Sequence, residues 1–181
     1  LVTLDVFESE LKTRHAASVT EMEDALGMYG RFFQSVVMME DFCCPKLSWV
    51  AEAVDSFAAL LPSFVQLSTL DMSDNRIDGR GALELCVALA TAPCLTSLTL
   101  DKNDLRAEGA AHIGGLLKTN TTLVSLSLAG EDGRPNIENT EGVEHIAQGL
   151  MSNKTLQSIE YAANIKQVHH IVLCTSGPVD D

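Results

Sequence analysis

A chain of 181 residues with 46% apolar content is long enough to bury one continuous core, yet no apolar run approaches the ~20 residues that a bilayer span requires. Its formal net charge of −13 argues against nucleic acid or an anionic membrane as partner, since phosphate contacts need clustered Lys and Arg. Five cysteines, at 43, 44, 86, 94 and 174, form no C-x-x-C pair and read as reduced thiols of an intracellular, cytoplasmic protein.

In chain order, Leu1-Val2-Thr3-Leu4-Asp5-Val6 is the first expected strand. Its helix comes late, after an insertion. Ser18 and Thr20 with Glu21 and Glu23 offer capping-box starts, and Met22, Leu26, Tyr29, Phe33 and Val36 keep helical spacing. A degraded unit follows from Met39, with Phe42 and Cys44 on its strand and Ala53, Phe57 and Leu61 in its helical slots. The clearest unit begins at Leu67 and continues through Leu70, Met72, Asn75, Ile77, Gly81, Leu85 and Leu89. The same pattern returns 28 residues later at Leu95, Leu98, Leu100, Asn103, Leu105, Gly109, Ile113 and Leu117. Leu123, Leu126 and Leu128 open the next unit, which is lengthened by an insertion within residues 129–136 and resumes at Gly142, Ile146 and Leu150. Leu156, Ile159 and Tyr161 begin a last strand, with Asn164 three residues on. Residues 1–181 therefore read as a single domain of five repeats plus a terminal strand, starting near 1, 39, 67, 95, 123 and 156. Residues 165–181 are its cap or tail, with 168–173 as a closing strand or an interface. A first residue of Leu rather than Met suggests a fragment of a longer chain.

Elementary geometry explains the residue types. In Leu-x-Leu the two leucines point inward, because strand side chains alternate faces. Asn75 and Asn103 come where the chain leaves its strand, and an amide can satisfy such a turn internally with donors and an acceptor. Gly81 and Gly109 fall at helix starts, where backbones approach closely. Asn120 and Asn153, each before Thr-Leu, are expected to end helices in left-handed geometry. All six phenylalanines, the single tryptophan and Tyr29 precede residue 65, so the early repeats fill their core with rings.

The unit L-x-x-L-x-L-x-x-N-x-[I/L]-x-x-x-G with its N-x-T-L ending resembles the ribonuclease-inhibitor-like class of leucine-rich repeats. That class includes ribonuclease inhibitor, NOD-like receptor sensor regions, Ran GTPase-activating proteins and tropomodulins. The resemblance implies an α/β solenoid, a horseshoe with parallel strands on the concave face and helices on the convex face. The regularly placed cysteines of ribonuclease inhibitor are missing. From Asn120 to Tyr161, including the insertion, the chain is similar to the end of tropomodulin's repeat domain, which would imply capping of actin filaments.

Residues alternating with the buried leucines would line the concave face and bind a partner: Thr3, Asp41, Thr69, Ser97, Ser125 and Ser158 at one strand position, Asp5, Asp71, Thr99, Ser127 and Glu160 at the next exposed one. Phe7, Glu8, Ser73, Asp74, Asp101 and Lys102 extend the strip. It is hydroxyl-rich, and acidic toward its N-terminal half, so a basic protein segment would complement it. A plainly solvated face is the alternative. Glu131, Asp132 and Arg134 form a second candidate partner site on the rim loop, because loops on rigid scaffolds often carry recognition.

No catalytic, metal or cofactor-binding motif is visible. The expectation is a non-enzymatic protein–protein interaction scaffold, a subunit of a larger intracellular assembly, with its oligomeric state open. The resemblance keeps three alternatives: a GTPase regulator like the Ran activator, with Arg76, Arg80 and Arg106 near the rim; actin-filament capping; and a receptor sensor region.

Overall fold

A computed structural model describes residues 8–10, 19–131, 133–137, 139–164 and 167–172. A long helix α1 (Val19–Val37) is followed by strand β1 (Asp41–Cys43), helix α2 (Ala51–Ala58) and a 3-10 turn (Leu61–Ser63). Strand and helix then alternate: β2 (Thr69–Asp71), α3 (Gly79–Leu89), β3 (Ser97–Thr99), α4 (Arg106–Thr119), β4 (Ser125–Leu128) and α5 (Thr140–Ser152). The chain ends its described course with β5 (Ser158–Asn164) and β6 (Gln167–Val172).

The six strands form one sheet in chain order. β1 to β5 are parallel, and Thr69 lies opposite Ser97, which lies opposite Ser125. This is the 28-residue period turned into strand register. Ser125 then pairs with Ser158, so the insertion is absorbed outside the sheet. β6 returns antiparallel to β5, Ile171 opposite Ile159. The expected strand at 168–173 thus corresponds to a hairpin partner rather than another parallel rung.

Leu70, Leu98, Leu126 and Ile159, one per strand, are at most 1% exposed, and helical Leu85, Ile113 and Leu117 are at 0%. Each repeat covers the apolar side of its neighbour. At the N-terminal side rings replace leucines: Phe42 stacks on Phe57 at 5.1 Å, and Trp49 meets Phe57 edge-on at 5.2 Å. Two glycines let α4 and α5 touch: a Cβ on Gly149 would stand 2.6 Å from the Gly114 carbonyl oxygen.

The buried asparagines do more than close their own turns. Asn103 Nδ2 donates to Leu100 O (2.9 Å) and Asp101 O (3.2 Å) in its own repeat, but also to Met72 O (3.1 Å) one repeat back. Its Oδ1 accepts from Ile77 N, 3.1 Å away in that preceding repeat. Asn75 likewise accepts from Leu47 N and Trp49 N, at 3.0 and 3.1 Å. Asn136, 0% exposed, donates to Leu100 O at 2.7 Å. The ladder stitches repeats together, since one planar amide can donate and accept at once.

Two expectations change. Asn120 and Asn153 end α4 and α5 with extended backbones (φ −72 and −78), not left-handed ones. Their Oδ1 atoms instead accept from Leu123 N (2.8 Å) and Leu156 N (2.7 Å), side-chain turns that stand in for a left-handed residue. Glu8, expected at a strand end, lies in a helical stretch, consistent with the helix-forming tendency of Glu. The first strand (1–6) and the Ser18 cap lie outside the described residues.

Candidate functional site

Parallel register converts the sequence columns into spatial ones. Asp41, Thr69, Ser97, Ser125 and Ser158 are consecutive Cα partners across five strands, and so are Cys43, Asp71, Thr99, Ser127 and Glu160. All ten are half-exposed or exposed, while Leu70, Leu98, Leu126 and Ile159 between them are buried. Polar groups on this face also bind one another. Ser158 Oγ donates to Ser125 Oγ at 3.1 Å, and Asp71 Oδ1 accepts from Ser73 N at 2.9 Å. Thr3, Asp5, Phe7 and Asp132 lie outside the described residues, and the helical Glu8 does not extend a strand.

Beyond the strand ends, Lys46, Asp74 and Lys102 share one repeat position and one conformation, with φ of 60, 54 and 53. Left-handed residues here turn the chain while its ladder continues: Asp74 N donates to Asp101 O (2.8 Å) and Lys102 N to Ala129 O (2.7 Å). The 28-residue spacing of these residues was the available signal, but nothing in their side chains announces φ > 0. Lys46 Nζ approaches Asp74 Oδ2 at 3.7 Å.

The insertion is a small hairpin. Glu131 and Arg134 exchange backbone hydrogen bonds of 3.1 and 2.9 Å across a turn where Gly133 has φ 78. Both ends of its base are clamped. Asp101 Oδ1 accepts from Ser127 Oγ (2.6 Å) and Ala129 N (2.7 Å), and buried Asn136 fixes the return. Sequence spacing missed Asn136 as a ladder residue, because the insertion displaces it from its period. Glu131 and Arg134 are exposed at the rim beside β4.

The rim arginines divide. Arg80 Nη2 is 2.9 Å from Asp55 Oδ2 on α2, and Arg106 grips Asp104 through two nitrogens at 3.0 and 3.1 Å. Arg76 is exposed. Arg106 holds the repeat slot filled by Asp78 and Asn139, whose side chains cap α3 and α5 by accepting from Gly81 N and Gly142 N at 3.0 Å. It cannot cap, and its φ is 54.

Away from the sheet face, Phe42, Trp49, Ala53, Ser56, Phe57, Leu60 and Phe64 line an apolar cavity of about 390 Å³. Burial pushes the Cys44 and Cys86 thiols up to about 12, with Asp71 adding to the effect at Cys44. Among the described residues, no group of three or more His, Cys, Asp and Glu is placed to hold a metal ion, and no helix is long and apolar enough to cross a membrane.

Comparisons with known proteins agree with this geometry. Residues 67–86 match the Leucine Rich repeat family model. Over 152 residues the chain is 22% identical to the Rho GTPase-activating protein gacW of Dictyostelium discoideum, covering 81% of this chain but only 13% of that protein. Its fold matches the leiomodin-1 actin-binding site 2 with a TM-score of 0.63 at 21% identity, over 80% of this chain and 79% of that one. Repeat sequence, strand register and structural likeness together show a leucine-rich-repeat fold, an α/β solenoid with a polar, solvent-facing sheet.

Proposed function

We propose that this chain is a non-enzymatic protein–protein interaction scaffold, a subunit of a larger intracellular assembly, which captures its partner on the sheet face with the 131–134 hairpin as a side wall. The observation that carries this reading is the pair of in-register polar columns, Asp41 to Ser158 and Cys43 to Glu160, held on a buried leucine floor. The backbones of β2 to β5 are paired on both sides among the described residues, so across these strands a partner is read by side chains rather than by adding a strand. The 28-residue step supports the ribonuclease-inhibitor-like class. Replacing Ser97 and Ser125 with Tyr blocks the middle of the face. Loss of native partners from co-purification, with circular dichroism unchanged, is expected; full retention refutes the sheet-face site.

A second reading has an observation of its own. One structural neighbour is an actin-binding site, which supports actin as the partner. Co-sedimentation with actin filaments tests it, and a chain left in the supernatant at all filament concentrations rejects it. The GTPase-regulator reading leans on a relative of which this chain spans 13%. Stimulated GTP hydrolysis by a Rho-type GTPase, lost on Arg76→Ala, would favour it over the scaffold.

A further inference from the structure

The N-terminal end of the solenoid lacks a cover among the described residues. We infer that residues 1–6 of this same chain supply it, pairing parallel to the outer edge of β1 and placing Leu4 and Val6 in the aromatic cavity beside Phe42 and Trp49. This inference does not depend on the sheet-face proposal above.

In later repeats the core slots are fully shielded by the unit before. Leu70 and Leu98 are at most 1% exposed, and Ile77 and Leu105 are at 0%. Phe42 and Trp49 hold the same two slots one period earlier, yet both are only half-buried. Beside them lies the cavity of about 390 Å³, whose lining includes Phe57, Leu60 and Phe64. Protein interiors seldom leave a void larger than a water molecule, so a space of this size calls for apolar side chains. β1 marks the same end, because among the described residues it pairs with β2 alone. The occupant therefore needs an extended backbone and inward apolar residues together.

Residues 1–6 meet both conditions. Leu1, Thr3, Leu4 and Asp5 repeat Leu67, Thr69, Leu70 and Asp71 position for position, and Val6 answers Met72. Leu70 and Met72 are 0% exposed, so Leu4 and Val6 take inward slots, with Leu4 against Phe42 as Leu70 is against Leu98. Parallel strands need a crossover of about a dozen residues or more, and residues 7–40 with α1 supply it. The other segments outside the described residues fit less well. Residues 11–18 hold one large apolar side chain, Leu11, and 173–181 follow β6 at the opposite edge of the sheet.

This cover is held differently from the later repeats. Asn75 and Asn103 tie each repeat backward, their Oδ1 atoms accepting from Leu47 N, Trp49 N and Ile77 N. One period before Asn75 stands Leu47, exposed, and no asparagine precedes residue 75. Strand pairing and apolar contact alone hold residues 1–6, so this rung opens more readily than those behind it. With the rung closed, Thr3 and Asp5 extend the two polar columns by one strand, beside Asp41 and Cys43.

Trp49 is the single tryptophan, so its fluorescence reads the cavity in the full chain. Leu4→Asp is expected to shift Trp49 emission to the red and to raise acrylamide quenching. Thr3→Asp, at an outward position, should change neither. In the unaltered chain, nuclear Overhauser contacts should join the Leu4 and Val6 methyls to the Phe42 and Trp49 rings, which keeps the test decisive if Leu4→Asp fails to fold. Amide exchange should be slowed at residues 3–5, though less than at Thr69–Asp71. Absent ring contacts, absent slowing, or a folded Leu4→Asp chain whose Trp49 signal matches that of Thr3→Asp overturns the inference. Slowing equal to that of β2 would overturn the looser hold.

Discussion

Replacing Asn103 with Ala tests the stitching between repeats directly. The substitution orphans Ile77 N–H, whose residue is 0% exposed and whose acceptor is Asn103 Oδ1. A buried donor left unpaired costs about 1–3 kcal/mol. The carbonyls fare better, because Met72 O also receives Asn75 Nδ2 and Leu100 O also receives Asn136 Nδ2. With the lost amide bonds added, the expected cost is about 3 kcal/mol, or about 6–12 °C in Tm for a chain of this size. Asn120→Ala is the comparison: the donors it frees, Thr122 N and Leu123 N, are part-buried at a surface turn, so about 1 kcal/mol is expected. Urea unfolding followed by circular dichroism gives both values. Asn103→Asp adds a sign. It keeps the Oδ1 acceptor but replaces the Nδ2 donor with an oxygen facing carbonyls at 2.9–3.2 Å, which favours the protonated acid in the folded state. Folded variant then holds its proton more tightly than unfolded chain, so its stability should rise as pH falls from neutral toward 4. If Asn103→Ala costs no more than Asn120→Ala, the buried ladder is not what couples the repeats.

Other positions give independent checks. Arg106→Asn puts a residue that tolerates left-handed geometry at φ 54, at the expense of the ion pair with Asp104. A gain of about 0.5 kcal/mol and about 1–2 °C in Tm is expected, and a lower Tm would contradict the strain argument. Gly149→Ala forces a Cβ to 2.6 Å from Gly114 O and should destabilise by about 1–3 kcal/mol, whereas Gly115→Ala meets nothing within 4 Å and should stabilise by about 0.5–1 kcal/mol. Thermal melts showing the reverse order would mean that the two helices do not meet as described. Iodoacetamide near pH 8 should label exposed Cys43 and Cys94 while Cys44 and Cys86, raised to about 12, stay unmodified by mass spectrometry. Folded chain keeps these two protons where unfolded chain releases them, so stability should decline as pH rises from about 9 toward 12. Equal labelling of Cys43 and Cys44 would defeat that account.

Strand register was readable because two facts in the sequence coincide: alternate leucines and a fixed 28-residue step. Together they placed Leu70, Leu98 and Leu126 in one row and set the polar columns opposite each other. Where the step breaks, legibility ends. Asn136 belongs to the ladder, but five residues of insertion (33 rather than 28 from Asn103) hid it among loop residues. The ends of α4 and α5 were misread for a different reason. Asn serves a left-handed cap and a side-chain turn equally well, and only backbone angles tell them apart. The left-handed turns at Lys46, Asp74 and Lys102 carry no Gly to betray them.

Because every buried asparagine spends its oxygen on the unit before and its nitrogen on both, the molecule counts residues as well as shelters them. Excising residues 67–94 as a block would hand Asn103 the Leu47 and Trp49 amides that Asn75 now holds, preserving each bond type. Dropping a single residue from the same stretch would leave one link with nothing to hold. Shortening by whole modules is thus a far gentler evolutionary edit in this chain than trimming by ones.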